Sequence, residues 1–258
     1  MRIAVAATAQ LGADVLERLA ATHEIAFLIT RPDAPRGRGR RLGAPPAKLA
    51  AERLAIPVHQ PEQPELPAEV DRVVVCAYGL YIAPRLLERS LFLNVHPSLL
   101  PRWRGAAPVE RAILAGDEET GVTIHETVAE LDAGPVAAQE RWQIGDADAG
   151  ETFARAAEVA ARLLDAVLDE PRFEPQRGET TYAEKITPAD RELDLSEPMD
   201  AWRRVRALSP HIGARAELHD RRVTVWRARL EEGRFVPEVV QPEGRRRMGY
   251  DEFLRGLR

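Results

Sequence analysis

Short apolar runs alternate with amphipathic stretches along the first two-thirds of the chain. Arg2–Ala7 and Glu24–Thr30 are β-rich runs of strand length, and between them Leu11, Val15, Leu16 and Leu19 recur at helical spacing within Leu11–Ala21. Pro46–Leu54 reads as a helix opened by a proline, which suits a first-turn position where no N–H is needed. Val70–Ala77 (VDRVVVCA) is almost continuously apolar, as a strand covered on both faces should be. Pro84–Glu88 reads as a short helix and Leu91–Val95 as the next strand. Such alternation predicts a Rossmann-like α/β fold, a mostly parallel sheet with helices on both faces.

Farther along, a loop is expected at His96–Ala106 and a helix at Pro108–Ala115, ended by Gly116. Gly121–Thr127 and Val136–Trp142 read as strands. Glu151–Leu168 is the longest amphipathic helix, with Phe153, Ala157, Ala160, Leu164 and Val167 on one stripe. Pro171–Glu179, rich in proline, glycine and charge, marks a boundary between residues 1–178 and 179–258. Beyond it come a helix near Met199–Ala207 and two alternating segments, Gly213–His219 and Arg222–Arg229, which predict a small, barrel-like β domain.

Composition narrows the class. The chain has 258 residues, 45% of them hydrophobic, enough for one sizeable core and a smaller partner domain. No apolar run approaches the roughly 18–20 residues of a membrane span, and the N-terminal run reads as a first strand rather than a signal sequence. A single cysteine, Cys76, excludes an internal disulfide framework or a multi-cysteine metal site, so the cytoplasm is the expected compartment. Net charge is −5, yet from Thr181 onward 16 Lys and Arg stand against 14 Asp and Glu, which leaves the acidic excess on the preceding part. A sharper feature is RPDAPRGRGRR, Arg31–Arg41, with five arginines, one acid and two glycines. Neither GxGxxG nor GxxxxGK[ST] occurs, which argues against a dinucleotide or P-loop site.

Candidate chemistry gathers in LNVHPSLLPRWRGAA, Leu93–Ala107, at the end of a predicted strand, where ligand sites of open α/β sheets lie. Asn94 and His96 are two apart, so a persisting strand puts both side chains on one face. Asp132, in ELDAG between two predicted strands, can reach the same sheet end. Amide, imidazole and carboxylate together suit acyl transfer. The amide can donate to an oxyanion, a contact whose loss costs roughly 10²–10³ in rate, the imidazole can move a proton, and the carboxylate can orient the imidazole. Each also has a plainer reading: a strand-end turn former, a structural histidine, an aspartate in a turn.

NVHPSLLPRWRGAAP followed by ETGVTIHETVAELDAGPV resembles the formyltransferases that use 10-formyltetrahydrofolate. The resemblance implies catalytic roles for Asn94, His96 and Asp132. It implies folate contacts at Ser98, Leu99, Leu100 and Pro101, and a pterin-lining loop in AYGLYIAP that contains Tyr78, Gly79, Leu80, Tyr81 and Ile82. The donor is then 10-formyltetrahydrofolate, with no metal required. RPDAPRGRGRRLGAPPAK resembles the basic insertion loop of the branch that formylates initiator methionyl-tRNA, which implies tRNA contacts at Arg36, Arg38, Arg40 and Arg41 in a flexible, glycine-spaced loop. TYAEKITPADRELDLS and VTVWRARL are similar to that branch's C-terminal domain, an OB-like fold. The expected protein is a monomer with tRNA and folate as partners and no membrane association.

Some positions depart from the pattern. QPEGRRRM follows Leu230 after few residues, so the C-terminal domain reads as shortened. AATAQLGA lacks the family's Gly-Thr-Pro, and His125 stands where a less polar residue is expected; it can reach the pocket, but a packed or rim histidine is favoured. Arg245–Arg247 reads as a solvated face with a phosphate patch as alternative, Trp103 and Trp202 as packing residues, and Cys76 as a small hydrophobe. Two rivals stay open: a sugar-nucleotide N-formyltransferase and a catalytically idle RNA-binding relative.

Overall fold

The computed structural model describes residues 1–36 and 41–257. Its first elements are β1 (Ile3–Ala7), α1 (Gln10–Leu19), β2 (Ile25–Ile29), the hairpin pair β3 (Ala34–Arg36) and β4 (Arg41–Gly43), α2 (Pro46–Arg53), β5 (Val58–His59), β6 (Arg72–Cys76), α3 (Pro84–Leu87) and β7 (Leu91–His96). There follow β8 (Arg104–Gly105), α4 (Pro108–Ala115), β9 (Glu119–Glu126), β10 (Val136–Gln143) and α5 (Ala149–Val167). The last are β11 (Tyr182–Ala183), α6 (Pro198–Leu208), β12 (Ala214–Leu218), β13 (Arg221–Glu231), β14 (Arg234–Pro242), β15 (Met248–Gly249) and α7 (Tyr250–Arg255).

Seven strands form the main sheet in the order β10-β9-β7-β6-β1-β2-β5. The run from β5 to β7 is parallel, and β9 then pairs antiparallel with β7. The fold is therefore the mostly parallel sheet with helices that the alternation predicts. Side-chain alternation divides β1 between two layers. Ala4 and Ala6 join Phe27, Ile29, Val73, Val75, Phe92 and Leu86 of α3 in one core. On the other face α1 lies against the sheet at Gly12, where a Cβ would come within 2.6 Å of the Ala7 Cβ and 2.5 Å of the Cys76 carbonyl oxygen. Gly12 thus meets a close-approach demand although no dinucleotide fingerprint is present. Full burial of each Val, Leu or Phe in these layers contributes about 1.5–3 kcal/mol.

Contacts divide the chain into two compact units. One comprises Met1–Arg104, Gly121–Arg141 and Ala154–Thr181, the other Gly105–Thr120, Trp142–Phe153 and Tyr182–Arg258. Within the second unit, β12, β13, β14 and β15 form a four-stranded antiparallel sheet in that order. An antiparallel sheet thus stands where the sequence predicts a small, barrel-like β domain, with β14, β15 and α7 as elements that the pattern had not revealed. The αL conformation of Gly116 (φ 75°) ends α4 as expected. Arg111 of α4 holds Asp190 at 2.8 Å, and together with Thr187 it pulls the Asp190 carboxyl down to about 2. Arg206 lies 4.2 Å over Trp202 and donates to the carbonyls of Gly145, Asp146 and Ala147. Trp202 is thus a packing residue. Arg246 pairs with Glu252 at 2.7 Å, and Arg247 lies 3.5 Å over Trp226 while donating to the Pro210 carbonyl.

Candidate active site

β7 extends one residue past the expected strand, through His96. Strand geometry therefore persists across Asn94 and His96, and both side chains leave the same face. The antiparallel register sets Asn94 opposite His125 and His96 opposite Thr123, so those side chains share that face as well. Cys76 pairs with Val95, which brings the loop after β6 off the sheet level with His96.

Asp132 completes the cluster. Its Oδ2 lies 3.6 Å from His96 Nδ1, and its Oδ1 lies 3.3 Å from Asn94 Nδ2 and 3.8 Å from His125 Nε2. A carbonyl only accepts, so the 2.8 Å contact between His96 Nε2 and the Trp103 oxygen requires the proton on Nε2. Nδ1 is then the nitrogen left to gain or lose a proton, and it faces the carboxylate. The same reasoning settles His125. Its Nδ1 donates to the Glu126 carbonyl at 2.8 Å, which leaves Nε2 to accept from Asn94 Nδ2 at 3.0 Å. Burial, with the His96 ring 6.3 Å away, pushes His125 down to about 4, against the opposing pull of Asp132.

The resulting group is an amide donor, a titratable imidazole nitrogen and a carboxylate within hydrogen-bonding or near-contact distance of one another. That donor set fits an acyl carbon: something to hold a growing negative oxygen and something to relay a proton. Among the described residues no group of three or more His, Cys, Asp and Glu is placed to hold a metal ion.

Residues 1–168 match the formyl transferase family. Over its full length the chain is 39% identical to a methionyl-tRNA formyltransferase of Cereibacter sphaeroides, of which it covers 96%. The chain belongs to the formyl transferase family. Its fold is similar to the methionyl-tRNA formyltransferase from Clostridium thermocellum (TM-score 0.67, 16% identity, 94% of this chain and 98% of that one). It is also similar to HypX from Aquifex aeolicus in complex with tetrahydrofolic acid (TM-score 0.68, 16% identity, 98% of this chain and 46% of that one).

A formyl transferase of this construction depends on loops held at the sheet end, and their supports are visible. Thr123, fully buried, donates to the Ser98 carbonyl at 2.7 Å and accepts from the Leu100 N–H at 3.2 Å, while Gln139 donates to both Thr123 and the Leu100 carbonyl. The Ser98 hydroxyl is turned inward and donates to the Arg102 carbonyl at 2.7 Å. Leu100 and Pro101 are buried and Leu99 is half-buried. In the AYGLYIAP segment Tyr78 and Ile82 enter the core, Leu80 is half-buried, and Gly79 (φ 77°) and Tyr81 are exposed. Burial pushes the Tyr78 phenol up to about 12.

The Asp132 loop has its own brace. Gln176 Nε2 donates to the carbonyls of Asp132 (2.7 Å) and Gly134 (2.9 Å), and Arg104 donates to Gln176 Oε1 at 2.7 Å. Neither Gln176 nor Arg104 stood out in the sequence. Gln176 lies in the segment read as an interdomain boundary, and only its partners reveal a role. His125, for which the sequence favours a packed or rim position over one reaching the pocket, is packed and also contacts Asn94.

Of the arginines expected at tRNA, Arg36 and Arg41 pair across the β3–β4 hairpin, while Arg38 and Arg40 lie outside the described residues. Part of the segment expected as a loop is strand instead, because the Ala34–Arg36 and Arg41–Gly43 backbones pair with each other. Cys76 is fully buried, which pushes its thiol up and leaves it a small hydrophobe.

Proposed function

We propose that this protein transfers the formyl group of 10-formyltetrahydrofolate to the α-amino group of initiator methionyl-tRNA by direct attack of the amine. The observation that carries this reading is the Asn94–Asp132–His96 cluster at the sheet end, in a chain similar throughout its length to a methionyl-tRNA formyltransferase.

The folate supplies a formyl group activated by its bond to N10. Asn94 donates an N–H from Nδ2 to the formyl oxygen as the amine's lone pair joins the formyl carbon and negative charge moves onto that oxygen. Asp132 takes the proton the amine sheds and passes it to His96 Nδ1, which faces the carboxylate at 3.6 Å. His96 then delivers that proton from Nδ1 to the departing nitrogen as the carbon–nitrogen bond breaks and its electron pair stays with that nitrogen. His96 Nε2 stays bonded to Trp103 throughout, which fixes the ring plane. Roles at the folate for Ser98, Leu99, Leu100 and Pro101 rest on the resemblance. Their side chains are mainly inward, so these residues act by shaping the loop. The exposed Gly79 and Tyr81 offer surface to the pterin region.

Arg36, Arg38, Arg40 and Arg41, with the 179–258 region, are assigned to the tRNA. A cluster of arginines binds phosphates by counterion release, so binding weakens steeply with salt. In this reading the enzyme works as a cytoplasmic monomer. One assay tests the whole: purified protein with 10-formyltetrahydrofolate and either methionyl-tRNA or an amino sugar nucleotide, followed by detection of the formylated product. Formylmethionyl-tRNA is expected. Product only on the sugar, or tRNA binding without any product, overturns the reading.

A further inference from the structure

The oxyanion role places a demand on Asn94 that the resting arrangement makes explicit. Its amide has two hydrogens, and both have acceptors: His125 Nε2 at 3.0 Å and Asp132 Oδ1 at 3.3 Å. A formyl oxygen can receive one only by displacing an acceptor. The longer contact is to Asp132, whose carboxylate is also the group that must turn to the amine's proton.

We propose that His125 is a positioning residue for formyl transfer: by accepting one Asn94 hydrogen at Nε2 throughout, it keeps the amide facing the reacting carbon while the other hydrogen passes from Asp132 to the formyl oxygen. This inference rests on the function proposed above. Three features support it. The register sets Asn94 and His125 directly opposite each other on neighbouring strands, so the ladder itself holds them together. The Glu126 carbonyl claims Nδ1–H, so in the neutral ring Nε2 has only a lone pair to offer. The His125 side chain is 2% exposed, so bulk water does not compete for the Asn94 hydrogen it accepts. Asp132 alone favours the correct amide face at rest, but that preference lapses once the hydrogen leaves Asp132. Without His125 the amide could then present its own oxygen to the oxyanion. Around His125 the charged or titratable neighbours are His96, Asp132 and Arg104, and their combined influence with burial keeps the ring in the neutral form this role needs.

The test compares His125→Met, which fills the space without an acceptor, with His125→Gln, whose Oε1 can accept from Asn94 near the position of Nε2. With saturating methionyl-tRNA and 10-formyltetrahydrofolate, His125→Met is expected to lose at least tenfold in kcat with both KM values within twofold, and His125→Gln to recover most of the loss. Unchanged kcat in His125→Met, or equal losses in the two variants, overturns the proposal. A measurement on the unmodified protein covers the case in which the variants do not fold. Long-range proton–nitrogen NMR near neutral pH is expected to find His125 with its proton on Nδ1, and a proton on Nε2 overturns the proposal. Because that spectrum needs no substrate, an inactive wild-type protein with the expected tautomer would mean failure of the functional reading rather than of the His125 arrangement.

Discussion

His96 Nε2–H donates a hydrogen bond to the Trp103 carbonyl, and that bond turns its other nitrogen toward Asp132. Trp103 makes the contact from a left-handed backbone conformation, φ 64°, which costs a non-glycine residue on the order of 1–3 kcal/mol. The Asp132 backbone is also left-handed, φ 48°. Two unfavourable conformations therefore meet at one imidazole, where folding elsewhere must offset them.

Replacing Asp132 by asparagine keeps the shape but removes the proton acceptor beside His96 Nδ1. Single-turnover formyl transfer should slow by about 10²–10⁴, while folate affinity measured by fluorescence titration changes little. Transfer at near-normal speed would remove Asp132 from the proton path.

Gln176→Ala takes away the donor shared by the Asp132 and Gly134 carbonyls and leaves Arg104 without its acceptor at Gln176. A lost buried partner costs about 1–3 kcal/mol. Faster amide exchange in residues 130–135 and a lower kcat are expected together. Exchange as slow as in the wild type would show that the loop does not lean on Gln176.

Gly134→Ala would drive a Cβ into the Glu126 carbonyl oxygen, the acceptor that orients His125. The loop must move away, so activity should fall by at least about tenfold, of the order seen when catalytic geometry shifts by an ångström. A crystal structure of this variant with the loop unmoved and the His125–Glu126 bond intact would contradict this.

Acidification should expose His125 as a liability. Its folded value lies near 4 and its ordinary value at 6.5, so between these pH values the unfolded chain binds a proton that the folded chain refuses. Stability is thus retained above about pH 6.5 and lost as pH falls toward 4, by no more than about 3 kcal/mol from this group. His125→Met lacks the liability, and its urea-unfolding midpoint should decline less across that window. Parallel declines in the two proteins would refute the assignment.

Much of this was legible from residue order, because the signals are local. Strand and helix periods, prolines at helix starts and Gly116 after α4 each act within one or two turns of chain, and Asn94 and His96 share a face simply because strands repeat every two residues. For Asp132 the sequence offered only a sheet-end loop that can reach the cluster; its role came from the resemblance, since no local rule fixes where such a loop folds. The pairing of Ala34–Arg36 with Arg41–Gly43 was hidden by glycines and arginines that favour a loop reading, and β14 by weak alternation.

The sequence by itself determined the alternation of the main strands and helices, the mostly parallel sheet and the pair of side chains at the end of β7. Only tertiary structure decided that β9 runs antiparallel beside β7 in the register that sets His125 against Asn94. It likewise decided that Gln176, 44 residues from Asp132, braces that loop. The physical reason is that hydrogen-bond register and loop bracing join residues distant along the chain. No periodicity or propensity encodes which acceptor will stand opposite which donor until the strands have paired.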